Sequence, residues 1–361
     1  MITLDDISKS VNCELNPLAM FDFQLQRKRK TASLIQNRIS SLEESFAAVS
    51  IDNGTVFCLG EINKYQHEFK QWQGLRSISL GEKRIVGLKC DGTLVAAGRS
   101  DNLYNQCYVS RISDATEISC TRNRNFYLSK GILYRTKKEN KYDPEEYCEA
   151  EYDHLYNRLE GIVQIATSGF CWAVLRADGT VFSHLSLSRI NEENITEKWN
   201  GIVQIACSEN AVFGLKQDGT VVFESKEEKE LSSIRDWHDI VSIAARDYGG
   251  AIGLRSDGTV TDMKNWKNIV AISGGDYFYA IDNNGLLYTT NSKIRSGKYT
   301  VPVFNNIESV EQDIAEANKN SIIRLNRARE NREKGLCQYC GGVFSGFLFK
   351  KCSNCGRSKN Y

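Results

Sequence analysis

The sequence is poor in several features that mark large classes of protein. It has three prolines in 361 residues, which excludes a proline-rich linker. No run approaches the roughly 18 apolar residues that a membrane-spanning helix needs. The first residues contain no basic stretch followed by an apolar run, so we expect no secretory signal. The net charge of +1 excludes bulk attraction of the whole chain to polyanions.

Cysteine, by contrast, is frequent. Twelve cysteines without an expected signal indicate a reducing compartment, so we expect a cytoplasmic protein with free or metal-bound thiols. Apolar residues (41%) and charged residues (25%) lie close to globular averages, which argues against global disorder or a coiled coil.

A repeat of about 40 residues governs most of the chain. Its clearest marker is an Asp-Gly or Asn-Gly turn with glycine at 54, 92, 179, 219, 258 and 285, and Lys130-Gly131 fills the gap. These turns supply the positive φ of tight hairpins, so each copy predicts strand, turn, strand. An upstream marker has an aromatic or aliphatic residue, then Ile or a similar residue three and six positions later. Its copies begin at Trp72, Ile112, Leu159, Trp199, Trp237, Trp266 and Phe304.

The seven hairpins and seven upstream markers are out of step. The chain enters with a hairpin, Phe46–Gly60, and leaves with a marker, Phe304–Val310. Units near 40 residues with about four strands each are typical of β-propeller blades. We predict that Phe304–Val310 pairs with the first hairpin, because closing the ring removes unpaired strand edges. An open β-solenoid and a two-sheet sandwich are the alternatives.

Three segments carry a resemblance to a known family. They are Gly161-Ile-Val-Gln-Ile-Ala, Gly214-Leu-Lys-Gln-Asp-Gly-Thr-Val and Ala97-Gly-Arg-Ser-Asp-Asn-Leu-Tyr-Asn-Gln-Cys107. Together they resemble the regulator of chromosome condensation repeat, over about residues 40–312. The resemblance implies an all-β fold, a seven-bladed propeller. The glycine and Asn-Gln segment survives only after Gly98 and partly after Gly60, so the functional loops and exchange-factor activity of the founding member are not transferred.

The repeat divides the chain into four predicted segments. These are an N-terminal helical segment at 1–40, the propeller at 41–312, a basic helix at 313–335 and a zinc ribbon at 336–361. Asn16-Pro17 is a good helix start, and Gly335 is the expected C-cap of the basic helix.

Paired cysteines near the C-terminus predict a metal site. Cys337-Gln-Tyr-Cys340-Gly and Cys352-Ser-Asn-Cys355-Gly form two Cys-x-x-Cys-Gly knuckles, and the unit resembles a zinc ribbon. Each knuckle places two thiolates on one tight turn. We predict one structural zinc bound by Cys337, Cys340, Cys352 and Cys355. Iron in a rubredoxin-like site and unmetallated thiols are the alternatives.

The same end of the chain is strongly basic. From Lys319 onward there are ten basic and two acidic residues, a net charge of +8, so the preceding 318 residues carry −7. Phosphates attract such charge and aromatic rings stack on bases, so we predict contact with nucleic acid or with an acidic protein surface. The candidate residues are Arg324, Arg327, Arg329, Arg332, Lys350, Lys351 and Phe347. The alternative is that the charge offsets the thiolates and that the aromatic residues form the ribbon's own core.

The sequence favours a protein that is not an enzyme. It has no phosphate-binding loop, dinucleotide fingerprint, His-Glu-x-x-His or Gly-x-Ser-x-Gly motif. We expect an interaction or scaffold protein whose propeller face binds a protein partner, with no membrane and no evident small-molecule substrate. The alternatives are a regulator that caps another enzyme, as propeller-type inhibitors or exchange factors do, and a propeller lyase or hydrolase with a channel site.

The cysteine knuckles lead to a first prediction. Elemental analysis of freshly reduced protein should find one zinc per chain, and Cys340→Ser should remove it, because four thiolates in tetrahedral array suit zinc. The substitution should leave the ring folded, since the ribbon and the ring have separate cores. Iron, or no metal, in the unmodified protein would contradict this.

Overall fold

The computed structural model describes most of the predicted repeat and part of the C-terminal segment. The chain divides into two compact units, Phe21–Asn305 and Met1–Met20 with Asn306–Tyr361. The described residues are 32, 35–50, 53–99, 107, 109, 112, 114–122, 124–129, 132–135, 161–169, 171–187, 190–193, 196–225, 228–294, 298–302, 330–331, 333–337, 341–346 and 350–354. No helix within these residues has the length and apolar character needed to cross a membrane.

The first unit is built from small antiparallel sheets that follow one another along the chain. Its described residues form seven sheets. Sheets 1 to 3 contain β1 (Ile39–Leu42), β2 (Ser45–Val49), β3 (Val56–Leu59); β4 (Leu75–Gly81), β5 (Arg84–Lys89), β6 (Leu94–Gly98); and β7 (Ala115–Cys120), β8 (Asn125–Ser129), β9 (Ile132–Arg135). Sheets 4 and 5 contain β10 (Ile162–Ser168), β11 (Cys171–Arg176), β12 (Val181–Leu187), β13 (Ile190–Glu193); and β14 (Ile202–Cys207), β15 (Ala211–Lys216), β16 (Val221–Ser225). Sheets 6 and 7 contain β17 (Ile240–Ala245), β18 (Ala251–Arg255); and β19 (Ile269–Gly274), β20 (Phe278–Asp282), β21 (Leu287–Thr289).

Helix is scarce in this unit. Ala32, Ile35 and Gln36 are helical and precede the first sheet. The short helical segments between sheets are the 3-10 helices Glu61–Tyr65 and Glu228–Asp236 and the α-helix Gln66–Phe69. Phe69 and Ile234 of these segments are buried in the neighbouring apolar clusters. Small antiparallel sheets with little helix confirm the predicted all-β class.

The Asp-Gly-Thr turns show why the repeat contains these residues. Asp91 Oδ1 accepts hydrogen bonds from the Thr93 amide at 2.9 Å and the Thr93 hydroxyl at 2.7 Å. The same pair of bonds occurs at Asp178, Asp218 and Asp257. Gly92 has a φ of 87°, which favours glycine. Its carbonyl accepts the amide of Ala115 in the next sheet at 2.9 Å, so the turn also joins neighbouring sheets.

The upstream markers supply the core, which lies between adjacent sheets. Trp199 and Trp237 are buried in clusters that each draw residues from two neighbouring sheets. A Cβ added to Gly214 would lie 2.7 Å from the Trp199 ring, so the glycine of Gly-Leu-Lys is required for this packing.

The first strands of the seven sheets, the inner strands, contact one another in a cycle. The contacts run through β1, β4, β7, β10, β14, β17 and β19, and β19 in turn contacts β1. Between sheets 7 and 1, the Ser41 and Ser273 hydroxyls lie 2.9 Å apart, and the Phe46 and Tyr279 rings stack at 5.2 Å. All seven inner strands line one cavity of about 340 Å³, the channel. This cycle of sheets is the ring.

The predicted pairing of Phe304–Val310 with the first hairpin stays a prediction, but the described residues show which strand lies at the inner edge of that hairpin. The inner edge of that hairpin is occupied by β1, whose residues pair with β2 from Ile39↔Ala48 to Leu42↔Ser45. At the other end of the repeat, the amide of Val301 donates a hydrogen bond of 2.8 Å to the carbonyl of Gly285, which lies in the turn of the last hairpin. Residues 303–310 themselves lie outside the described residues. The first sheet therefore takes its inner strand from the N-terminal side, where the sequence pattern was too weak to recognise.

Side chains of the inner strands hydrogen-bond the backbone of the next inner strand. Between each pair of neighbouring sheets from sheet 1 to sheet 6, a Ser, Glu or Gln side-chain oxygen of one inner strand accepts a hydrogen bond from a backbone amide of the next. The pairs are Leu80 to Ser40 (3.0 Å), Cys120 to Ser79 (2.9 Å), Ile165 to Glu117 (3.1 Å), Ile205 to Gln164 (2.8 Å) and Ile243 to Gln204 (2.9 Å). These five acceptors form the polar belt, which supplies partners for amides that no strand would otherwise reach.

The described part of the second unit contains one small hairpin. Strands β22 (Phe344–Ser345) and β23 (Lys351–Cys352) pair antiparallel, with Phe344 opposite Cys352. Before it, Glu330, Asn331 and Glu333 are helical, and Gly335 has a φ of 70°, as a helix C-cap requires.

The polar belt generates a second prediction. Gln204→Leu should lower the free energy of unfolding by about 1–3 kcal/mol, because the Ile243 amide then loses its acceptor without gaining water. Urea unfolding measures the change. Val203→Ala is the matched control: its side chain is 42% exposed, so the loss should stay within about 0.5 kcal/mol. Equal stability of Gln204→Leu and the unmodified protein would contradict the role of the belt.

Candidate functional site

The turns that follow the inner strands bring charged residues together at one end of the channel. Each turn has one equivalent position, four residues after an isoleucine that is central in the inner strands of sheets 2 to 7 and is Ile39, the first residue of β1, in sheet 1. In sheets 1 to 7 the residues at this position are Glu43, Glu82, Arg122, Gly169, Glu209, Asp247 and Asp276. Backbone bonds link neighbouring turns, as from the Glu209 amide to the Asp247 carbonyl at 2.9 Å. These seven residues form the acidic mouth.

Arg122 is the one cation at these seven positions, and it reaches across the mouth. Its Nη2 atom donates to Asp276 Oδ1 at 3.0 Å and to the Tyr248 hydroxyl at 3.0 Å. Nη1 lies 3.6 Å from Glu43 Oε1, and Nη2 lies 3.8 Å from Asp247 Oδ2. One guanidinium thus joins sheets 1, 3, 6 and 7.

A second, buried arginine positions the turn that carries Arg122. Arg84 is 1% exposed. Its guanidinium donates to the carbonyls of Thr121 (2.8 Å), Arg122 (2.6 Å) and Arg124 (3.0 Å), and its Nε donates to Asn125 Oδ1 (3.0 Å). This turn has four residues between its strands, whereas the equivalent turn in sheet 2 has two. Arg84 therefore orders the longer turn.

The carboxylates of the mouth are crowded. Burial raises the pKa of Glu43, and the negative charges of Glu82 and Asp276 raise it further, against the opposing effect of Arg122. Burial and Asp247 likewise raise the pKa of Glu209. Asp276 also has a raised pKa, from burial first and Asp247 in addition, although Arg122 lowers it. The mouth therefore carries more negative charge than Arg122 compensates.

Inside the channel, Glu117 occupies the belt position held by glutamine in the next two sheets. Its carboxylate is partly accessible from the channel but enclosed by neighbouring strands. Burial raises the pKa of Glu117 to about 8, although the Ile165 amide and the Arg76 charge oppose the rise. Arg76 donates to the carbonyls of Ala115 and Thr116 at 3.1 and 3.0 Å.

In the second unit, the structure describes two of the four predicted metal ligands. Cys337 and Cys352 are 1% and 3% exposed. The Cys337 carbonyl accepts the Gly341 amide at 2.7 Å, which closes the first knuckle. A Cβ on Gly342 would lie 2.7 Å from Cys352 Sγ, so this sulfur packs directly on the first knuckle. Cys340 and Cys355 lie outside the described residues, and the described residues contain no group of three metal-binding side chains.

The predicted partner-binding residues fall mostly outside the described part. Lys350 and Lys351 are both exposed, beside and within β23. Arg324, Arg327, Arg329, Arg332 and Phe347 are outside the described residues, so their contact with a partner stays a prediction.

Sequence reasoning missed the acidic mouth, although the chain contains a signal for it. Aligning the inner strands on their central isoleucines, such as Ile78, Ile205 and Ile243, places an acidic residue four positions later in five of the seven copies. In the linear sequence these acids are about 40 residues apart, so only the ring brings them together.

Comparisons with known proteins give distant structural likenesses. No protein-family model matches the chain, and no curated protein matches its sequence. The CRINKLY WD40 ectodomain of the Arabidopsis thaliana receptor kinase ACR4 is 16% identical, with a TM-score of 0.45 over 67% of this chain and 91% of that one. The ectodomain of the Physcomitrella patens receptor kinase CR4 is 13% identical, with a TM-score of 0.49 over 68% and 69%. Prp20p from Saccharomyces cerevisiae is 14% identical, with a TM-score of 0.44 over 74% and 83%.

Glu117 generates a third prediction. Because the pKa of Glu117 is raised to about 8, its neutral form contributes stability that is fully present below the ordinary glutamate pKa of about 4.5. This contribution is lost as the pH rises to about 8. Glu117→Gln keeps the acceptor and cannot ionise. Its stability relative to the unmodified protein should therefore increase between these pH values, by less than about 1.4 kcal/mol per pH unit because Glu117 is partly exposed.

Urea unfolding of both proteins at several pH values measures this difference. Gln164→Glu is the matched control, since it places a carboxylate at the neighbouring belt position and should introduce a similar loss of stability at high pH. A difference between Glu117→Gln and the unmodified protein that does not vary with pH would contradict the buried state of Glu117.

Proposed function

We propose that the protein is a non-enzymatic interaction scaffold. The seven sheets are the blades of a closed seven-bladed β-propeller, and the face formed by the turns of the acidic mouth binds a protein partner. The cycle of contacts through the inner strands and the shared channel support this architecture.

One observation favours the mouth as the binding face. Four carboxylates, those of Glu43, Glu209, Asp247 and Asp276, surround the single guanidinium of Arg122. Charged groups that lack full compensation favour an oppositely charged partner and speed its association. The inter-sheet contacts hold these groups on a rigid framework, so little ordering is required on binding.

We further propose that the C-terminal unit binds one structural zinc. Cys337, Cys340, Cys352 and Cys355 would hold it, and a closed four-thiolate site supplies folding energy and no catalysis. The chemistry of the donor set fits: Cys337 and Cys352 belong to different knuckles, both are buried, and the Cys352 sulfur packs on the first knuckle.

The basic C-terminal segment is proposed as a second contact. Lys350 and Lys351 are exposed, so their ammonium groups are available to phosphates. Arg324, Arg327, Arg329, Arg332 and Phe347 would extend this surface. An acidic protein surface is the alternative ligand, because its carboxylates carry negative charge as the phosphates of nucleic acid do.

Two other functions stay open. A regulator that caps another enzyme would use the same ring face, and the half-buried charged turns suit that role equally. A channel enzyme would need converging acid and base groups. None of the three described histidines lines the channel, which favours the scaffold. His67 and His238 have side chains 77% and 71% exposed, and His184 lies in β12 with its ring stacked on Trp172.

Affinity capture of the full chain from its native host, with and without nuclease, tests the proposal and is the fourth prediction. We expect protein partners that survive nuclease treatment, held by the ring, and nucleic acid that does not. Lys350→Glu with Lys351→Glu should reduce nucleic-acid recovery at least about tenfold at physiological salt, because charge reversal opposes each phosphate contact.

The matched control is Lys64→Glu with Lys70→Glu, which makes the same charge change at exposed positions of the ring. It should leave nucleic-acid recovery unchanged. Equal loss in both double variants would indicate bulk charge and not a C-terminal site. No nuclease-resistant partner at all would contradict the scaffold proposal.

A further inference from the structure

A β-bulge near the start of the inner strands brings an arginine into the channel. In sheets 2 to 7 the register between the first and second strands shifts by one residue at this point. The extra residue is Arg76 in sheet 2, Thr116 in sheet 3 and a valine in each of the other four sheets. A bulge redirects side chains, and here Arg76 and the following Ser77 both line the channel.

The guanidinium of Arg76 uses only one of its nitrogen atoms in hydrogen bonds. Its Nη2 atom donates to the carbonyls of Ala115 and Thr116 in the next sheet. Its Nη1 atom is accessible and has no acceptor among the described residues, and no described carboxylate forms an ion pair with it. Because a guanidinium carries five N–H donors, Arg76 can bond a ligand in the channel and keep its bonds to the backbone.

The carboxyl group of Glu117 also faces the channel, from the neighbouring inner strand. Its Oε1 atom accepts the Ile165 amide at 3.1 Å, whereas Oε2 is accessible and bonds no described residue. Burial raises the pKa of Glu117 to about 8, although the charge of Arg76 opposes the rise. Glu117 is therefore mostly protonated at neutral pH. Since Oε1 accepts an amide, the proton lies on Oε2, which then donates into the channel.

Glu117 is the only acidic residue among the described residues that line the channel. Arg38, which precedes β1, adds a second guanidinium to the lining. The Cys207 thiol stays neutral, because burial raises its pKa well above the ordinary value. The other titratable residues of the strands packed against β7 lie outside the lining and are Arg84, Lys89 and Tyr127. The lining therefore carries more positive than negative charge at neutral pH.

The channel reaches solvent beside Arg76. Thr116 lines the channel and is exposed, and the valines at the bulges of sheets 4 and 5, Val163 and Val203, are 52% and 42% exposed. The channel volume of about 340 Å³ lies near the lower end of the range for small-molecule sites, about 300–1,000 Å³. A small ligand can therefore enter at this end and reach both polar groups.

We propose that the channel binds the anionic group of a small molecule, a carboxylate or a phosphate, between Arg76 and Glu117. The oxygens of this group accept hydrogen bonds from Arg76 Nη1 and from the protonated carboxyl of Glu117. Ser77 is a further donor, because its hydroxyl makes no hydrogen bond with any described residue. The inference goes beyond the proposed scaffold function and does not depend on it.

Calorimetric titration of the full chain with sulfate and with acetate tests this inference. Sulfate represents a phosphate-like group and acetate a carboxylate, and neither changes its charge between about pH 6.5 and about pH 9. We expect saturable binding at about pH 6.5, and the anion that binds more tightly identifies the group. The affinity should be about tenfold lower at about pH 9, because a pKa of about 8 leaves about one tenth of Glu117 protonated there.

Two variants separate the roles of the two side chains. Glu117→Gln should bind equally at both pH values, because its amide N–H replaces the acid as donor and does not ionise. Arg76→Gln should weaken binding at least about tenfold, because it removes a charged donor. Arg176→Gln is the matched control: it removes the same charge from a hairpin outside the channel and should change the affinity less than about twofold.

Thermal unfolding confirms that each variant is folded, and Glu117→Gln keeps the test valid if Arg76→Gln is unstable. The inference is overturned by the absence of saturable binding of both anions at about pH 6.5, or by an affinity that does not vary with pH. It is also overturned by a pH dependence that persists in Glu117→Gln, or by equal effects of Arg76→Gln and Arg176→Gln. Capture of protein partners is measured separately, so these results leave the scaffold proposal standing.

Discussion

The structure depends on how the inner strands satisfy their free backbone edge. Each inner strand is hydrogen-bonded on one side by the second strand of its own sheet and has no strand on the other side. The amides on that free side are enclosed in the ring, where an unpaired N–H is costly. The polar belt solves this by supplying a Ser, Glu or Gln oxygen from the preceding sheet, and it thereby sets the spacing between neighbouring sheets.

The position of the acidic mouth follows from this arrangement. Because the belt joins the inner strands of sheets 1 to 6 and all seven inner strands line one channel, the turns after these strands converge at one end. Residues about 40 positions apart in sequence then become neighbours, and like charges accumulate in a partly buried place. Arg84 orders the longer turn of sheet 3, and this turn carries Arg122 into the centre, where it joins the carboxylates of three other sheets. The arrangement of the inner strands around the channel thus accounts both for the framework and for the negative charge of the mouth.

Much of the fold was predictable because its determinants are local. The Asp-Gly-Thr turns carry their own hydrogen bonds, and the glycine under Trp199 is needed for packing within one repeat unit. The inner strand of sheet 1 was not predictable, since Ile39–Leu42 lacks the aromatic marker and is recognised only by its pairing with β2. The mouth was missed for a related reason: no single turn looks unusual, and the clustering exists only in three dimensions. The cysteine knuckles were predicted from local spacing, and their metal site stays a prediction; the two of their cysteines that the structure describes, Cys337 and Cys352, are buried.

Hydrogen exchange of the inner-strand amides tests the role of the polar belt most directly. Nuclear magnetic resonance would follow the amides of Leu80, Cys120, Ile165, Ile205 and Ile243, which donate to belt side chains. The account predicts that they exchange as slowly as the amides bonded between an inner strand and its second strand, because both open only when sheets separate. Fast exchange at these five amides, with the strand-paired amides still protected, would show that the belt does not join the sheets.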